Sequence, residues 1–440
     1  MCIQTKVQRK KNRYRQRYRG TAIRQNKNQT LSHIIPWLLA CGGAGDMGMK
    51  RKKLLIGFCS ALGLLPTDIL AAGTAAPTPP QLPLVQENKA TLSGTIHTQS
   101  FLYNTEYFNK ILEGETLFGF HILPSLSLLF AKRIAIQPGL IWQHHFGQPN
   151  PWAGFRPTCS TSYHAPNFKL VLGIFGLQEQ PLHFIEPLFD PTRPMVRPFI
   201  EGLHFKLAGP RGYVMGWVDW LSLLSRKQNQ PERFTVHLTT AYRLPHPEGS
   251  SCYTVPLQGG IYHVGGQGIA VKDFSLFCGA TGILCSFMQP MRFLKRLDCA
   301  GYFLCNTYAK QIDRPFKKGW GQFYCLDWVL PTGGITIRYW YGAGFSSENI
   351  GNPLYQSVRI IDHKVVHIEA TRSLLFATGY KYWDPLAHLR IQCSLCPYID
   401  LKNRLVECSC SLDLTYTLRF AWTDIQNTPQ TISNPDTSYV

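Results

Sequence analysis

Between residues 405 and 420 apolar and polar side chains alternate almost without a break. Val406, Cys408, Cys410, Leu412, Leu414, Tyr416, Leu418 and Phe420 fall on one face. Glu407, Ser409, Ser411, Asp413, Thr415, Thr417 and Arg419 fall on the other, with Leu405 as its one apolar member. Period two marks a strand whose two faces meet different surroundings. A soluble strand averages about 5–6 residues, whereas crossing a hydrocarbon core takes roughly 9–11. The run is long enough to cross.

The pattern recurs. Phe234, Val236, Leu238, Thr240, Tyr242 and Leu244 oppose Thr235, His237, Thr239, Ala241 and Arg243; Ile335, Ile337, Tyr339 and Tyr341 oppose Thr336, Arg338, Trp340 and Gly342. Leu389–Ile399 alternates in the same way, and 133–143 does so with interruptions at Pro138 and Ile141. An apolar face suits lipid and a charged or amide face suits water, which places Arg243, His237, Arg338, Asp413 and Arg419 toward a wet lumen. Strand edges left open in hydrocarbon would strand N–H and C=O groups, so the sheet must close on itself. The predicted fold is all-β: a closed antiparallel transmembrane β-barrel of about 14–16 strands.

Ala131-Lys132, Pro331–Gly334 and Leu401–Asn403 have the composition of tight turns, and segments 104–114, 146–166 and 346–357 that of long loops. Segment 178–196 and the short Ala208–Gly212 link then fall on the wrong sides for strictly alternating hairpins. Either a strand is missing from the count or one long segment folds into the lumen.

Net charge changes the picture less than its size suggests. The formal charge is +19, but residues 1–72 hold fourteen of the 45 Lys/Arg and two of the 26 Asp/Glu. From Met49, a Lys/Arg cluster, the apolar LLIGFCSALGLLP and the small residues of TDILAAGTAAP read as a signal peptide over 49–72, cleaved after Ala72. Residues 73–90 form a linker, 91–420 the barrel and 421–440 a polar tail. KVQRKKNRYRQRYRG near the start has the interleaving that grips nucleic acid. A secretion signal must lie at the true N-terminus, however, so 1–48 reads as an over-long start and no nucleic-acid partner is expected.

Short words within 92–420 add a resemblance. Glu106-Tyr107-Phe108-Asn109, Glu115–Gly119, His144-His145-Phe146-Gly147, Arg197–Gly202 and Trp217-Val218-Asp219-Trp220 resemble an uncharacterised family of Bacteroidetes outer-membrane barrel proteins. The resemblance implies a porin-like barrel and assigns no substrate. Such barrels commonly end on an aromatic residue read by the barrel-assembly machinery. Tyr416, Leu418 and Phe420 match that ending, but a polar tail follows, and the fourteen cysteines are more than such barrels usually carry.

Cys393, Cys396, Cys408 and Cys410 suggest a zinc cage by count, yet alternation points Cys393 and Cys396 to opposite faces, so no metal is expected. Disulfides between neighbouring strands suit an exported chain, without a readable pairing. His363, His367 and Glu369 read as lumen lining, and Gly265-Gly266-Gln267-Gly268 as a strand bend or turn. No cofactor motif is present. In segment 178–196, Glu179, Glu186, Asp190 and Arg193, with Arg197 beyond, would set a constriction if the segment folds inward. The expected function is a porin-like outer-membrane channel for small hydrophilic solutes, with membrane lipids and the assembly machinery as partners. The alternatives are a barrel enzyme acting on lipid through a Ser/His pair at the membrane boundary, for which His237 is a candidate, and a secreted β-sandwich binding carbohydrate.

Overall fold

Sixteen antiparallel strands close into one ring. They begin with Thr91–Glu106 (β1), Thr116–Phe130 (β2), Ile134–His145 (β3), Gly154–Ala165 (β4) and Phe168–Gly176 (β5). Phe199–Gly209 (β6), Gly212–Ser222 (β7), Glu232–Arg243 (β8), Ser251–Gly265 (β9) and Phe274–Met291 (β10) follow. Leu294–Tyr308 (β11), Lys318–Leu330 (β12) and Gly333–Ala343 (β13) come next. Val358–Ile361 (β14) and Lys364–Ile368 (β15) pair only with each other, before Thr371–Leu386 (β16), Leu389–Asp400 (β17) and Leu405–Trp422 (β18) complete the wall. Each wall strand bonds to the next, β13 bonds to β16, and β18 returns to β1 in a register running from Leu92–Trp422 to Glu106–Cys408.

The structure, a computed structural model, describes residues 91–422 apart from 131, 178–183, 246–250, 269–272, 311–312 and 362–363, together with 430–431. The proposed extension, signal peptide, cleavage after Ala72 and linker lie outside the described residues, as do Glu179, His363 and most of the tail.

The outer surface is what lipid requires. Ile283 is 56% exposed, Leu172 58% and Val406 73%, and Leu126, Ile136, Phe303, Ile337 and Leu395 add to an apolar surface that water would not tolerate. No helix among the described residues is long and apolar enough to cross a membrane; the strands make the crossing. In β18 the alternation holds as expected: Val406, Leu412 and Leu414 face out while Glu407 and Ser409 are buried inside.

Successive connections alternate between the two ends of the barrel. The β2–β3, β4–β5, β6–β7, β10–β11, β12–β13 and β16–β17 links are tight, and the long loops gather at the opposite end, the outer face of such barrels, where the β17–β18 turn over 401–404 is short. The parity conflict at 178–196 comes from a strand missing from the count. Segment 146–166 is not one loop: β4 lies within it. With β4 counted, the β5–β6 link falls on the long-loop side, and its described part also folds inward, with Ile185, Leu188 and Phe189 buried.

A ring of sixteen strands leaves a wide interior, and this one is filled in its outer half. The loop between β5 and β6 carries a short helix, Arg193–Val196 (α1). It meets a second inward segment, residues 344–357, whose Phe345, Ile350, Leu354 and Tyr355 are buried against wall residues Trp340, Phe376 and Tyr398. The Asn352 N–H donates to the Glu186 carbonyl over 3.0 Å. Gly351 lies so close to Pro187 that a Cβ there would overlap the Pro187 carbonyl. The two loops form one plug.

Candidate functional site

Three of the four described residues proposed for the constriction hold the plug to the wall. Glu186 pairs with Arg338 of β13 and accepts a hydrogen bond from the Tyr355 hydroxyl at 2.7 Å. Arg193 pairs with Asp219 of β7, and Arg197 donates to the same carboxylate at 3.2 Å. Asp190 bonds within its own turn, accepting from the Thr192 amide and hydroxyl, and burial pushes its carboxyl above the ordinary range. Asp219 is completely buried; it belongs to the Trp217–Trp220 word of the family resemblance but was not expected at the constriction. A buried carboxylate between two guanidinium groups is the arrangement in which charge can leave water, because each ion satisfies the other.

Of the residues assigned to the lumen, Arg338 meets the plug, and His237 stacks on Trp217 with ring centroids 4.7 Å apart. Asp413 accepts from the Gln99 amide at 3.0 Å. Arg419 is exposed and lines a cavity in the inner half of the barrel, while Arg243 ends β8 at the tight-turn end and is exposed. His237 therefore faces inward, away from lipid, and does not supply the boundary Ser/His pair.

Another histidine does. His263 of β9 lies between buried Tyr262 and Val264, and Ser275 of β10 between buried Phe274 and Leu276, so both side chains point outward. They are direct cross-strand partners, and His263 Nδ1 is 2.8 Å from Ser275 Oγ. On the other flank Glu232, the first residue of β8, places Oε1 3.7 Å from His263 Nε2. A hydroxyl, an imidazole and a carboxylate thus lie in order across three adjacent strands, each imidazole nitrogen facing one partner. With the proton on Nε2 toward Glu232, Nδ1 is free to accept the Ser275 hydroxyl proton.

The position of this trio matters as much as its order. All three residues lie at the long-loop ends of their strands. His263 tilts against Phe234 at 4.9 Å, and Phe234 against Trp220 at 5.0 Å, an outward aromatic row of the kind that marks the membrane–water boundary. Loopward of the row stand Asp273 and Lys310, and the ammonium beside Asp273 holds its carboxyl below the usual range. Gly265 leaves space for the histidine: a Cβ there would come 2.8 Å from His263 Nε2. The glycine run 265–268 ends β9 and turns, with Gly266 and Gly268 at positive φ. Sequence spacing gave no sign of the trio, because 31 and 12 residues separate its members along the chain.

The cysteines build no comparable centre. Cys396 points inward, where the Thr378 hydroxyl donates to its sulfur at 3.0 Å, while Cys408 and Cys410 share the outward parity of β18. Cys285 and Cys299 face each other across β10 and β11, and both are thiols. No group of three or more His, Cys, Asp and Glu among the described residues is placed to hold a metal.

Comparison with known proteins places the chain in a family. The family described as Lipid A 3'-O-deacylase-type matches residues 84–425. No curated protein matches the chain. Among solved structures it is similar to OprD of Pseudomonas aeruginosa, with 8% identity, 76% of this chain and 97% of that one covered and a TM-score of 0.47. It is also similar to opdK of Pseudomonas aeruginosa, with 9% identity, 74% and 98% coverage and a TM-score of 0.44. A third is OccAB3 of Acinetobacter baumannii, with 8% identity, 75% and 99% coverage and a TM-score of 0.43. The fold itself rests on the closed ladder of this chain and not on these distant likenesses. The protein is a closed sixteen-stranded transmembrane β-barrel, and it belongs to the Lipid A 3'-O-deacylase-type family.

Proposed function

We propose that the barrel is a lipid-ester hydrolase of the outer leaflet, removing an acyl chain from lipid A through Ser275, His263 and Glu232. The observation that carries this reading is the outward Ser275–His263 contact of 2.8 Å at the aromatic boundary row. His263 Nδ1 takes the Ser275 proton as Oγ attacks the acyl carbonyl, and Glu232 stabilises the imidazolium through Nε2–H. The imidazolium then protonates the leaving sugar oxygen. Water, activated by the same nitrogen, releases the fatty acid and restores Ser275. Lipid diffusing in the membrane plane brings its ester to this depth, while Lys310 provides a cation toward the headgroup. The test is direct: purified barrel is incubated with vesicles containing lipid A, and released fatty acid and truncated lipid are followed by mass spectrometry. Intact lipid A after prolonged incubation with correctly folded barrel would remove the proposal.

A second reading, passage of small hydrophilic solutes, is favoured by the polar cavity in the inner half of the lumen. In it the plug is the constriction, with Glu186, Asp190 and Arg193 shaping the passage and Arg197, Arg338, Asp413, Arg243, His237 and Arg419 along or beside it. Replacing Glu186, Asp190 and Arg193 together with Ala is expected to raise single-channel conductance in planar bilayers. Traces indistinguishable from the parent would count against a route past the plug. Export by the signal peptide and insertion by the assembly machinery belong to both readings.

A further inference from the structure

We infer that Cys285 and Cys299 form a disulfide that joins β10 to β11 on the outer surface of the barrel. Alternate residues of β10 from Phe274 to Ala280 and of β11 from Leu304 to Tyr308 are buried, and both cysteines have the opposite, outward parity. The ladder sets them directly opposite one another, in a register unbroken from 276 to 288. The Ala309 N–H donates to the Ser275 carbonyl over 2.9 Å, and such bonds recur at every second residue, so Cys285 and Cys299 are a hydrogen-bonded pair. Their Cα atoms then stand about 5.5 Å apart, inside the span of roughly 4.4–6.8 Å that a disulfide bridges.

Among the described residues no other cysteine has a cysteine as its direct partner across the ladder. Cys252 of β9 opposes Ser286 and Cys325 of β12 opposes Ala300, both on the inner face, so neither competes for the pair. Height makes the pair reachable. Ten residues of β10 separate Cys285 from Ser275. At about 3.4 Å per residue and a tilt of roughly 40° they span about 25 Å, the height of the apolar band. Cys285 thus lies near the boundary opposite the trio, with outward Phe287, Leu297 and Trp328 one step nearer the tight turns. Both cysteines are thiols in the structure, so the bond needs an oxidant. That oxidant is a disulfide carried by a thiol oxidoreductase of the oxidising compartment an exported chain enters. One thiolate attacks the carried disulfide, releasing one oxidant thiol and leaving a mixed disulfide. The second thiolate attacks the cysteine sulfur of that mixed disulfide and releases the other oxidant thiol. Two electrons and two protons pass from the pair to the oxidant, and β10 is held against slippage on β11.

The experiment dissolves membranes carrying the full chain in SDS with excess N-ethylmaleimide, then digests them with trypsin without reductant. Cleavage at Arg292, Lys295 and Arg296 separates the two cysteines, and mass spectrometry follows their peptides. The expected result is a linked peptide pair holding Cys285 and Cys299, which dithiothreitol splits into its halves. In C285S the linked pair should vanish, and maleimide labelling of Cys299 should rise about tenfold or more over the parent. Recovery of both cysteines carrying maleimide in the parent, or of either one linked to a different cysteine, overturns the inference. Heat-modifiable gel mobility confirms that C285S is folded. Lipid hydrolysis plays no part in the readout, so this test and that of the outer trio fail independently.

Discussion

Ser275→Ala should cut acyl release from lipid A by about a thousandfold or more, because loss of the nucleophile leaves only binding and polarisation of the carbonyl. His263→Gln should fall nearly as far, since Ser275 then has no base at 2.8 Å. Glu232→Gln should cost less, about tenfold to a hundredfold, because its oxygen stands 3.7 Å from Nε2 and acts by orienting and charge stabilisation. The three variants alter outward side chains that support neither the plug nor the ladder, so heat-modifiable mobility should be unchanged. Acyl release by Ser275→Ala at half the parent rate would dismiss the trio as the seat of hydrolysis.

Asp219→Ala should be the most destabilising single change in the plug. The carboxylate is completely buried, pairs with Arg193 and Arg197, and accepts from the Glu201 amide at 3.0 Å. Its removal leaves two guanidinium groups facing one another beneath the loop, at a cost of about 3–5 kcal/mol. Urea unfolding in detergent should show that loss, and noise in single-channel recordings should rise as the loop between β5 and β6 detaches. An unfolding midpoint equal to the parent's would mean that the pairing does not anchor the plug.

The wall was legible in the sequence, and the reason is physical: lipid on one side and water on the other write opposite chemistry on alternate residues. β18 and β8 carry that script cleanly. β4 does not, because its outward positions include Pro157, exposed Cys159 and Thr161, and its inward Ser160 and Ser162 are small and polar too. Without contrast between faces it passed for loop, and the hairpin parity broke at the next long segment. Of the short words that carried the family resemblance, Arg197 and Asp219 prove to be two halves of one buried ion pair, and Asn109 donates to both Tyr398 and Glu407. The outer trio could not be read. Its members meet only through the cross-strand register of three strands, and that register is a property of the closed sheet.

The seam where β18 meets β1 sets a condition on biogenesis. His97 and Thr417 touch across 320 residues of chain, and every other wall pairing is local by comparison. Shutting so large a loop has a steep kinetic penalty, so the sheet can grow hairpin by hairpin yet stays an open ribbon with two sticky margins until the final segment arrives. Shortening that last strand should therefore strand the polypeptide as an aggregation-prone intermediate, long before any fault in catalysis could be noticed.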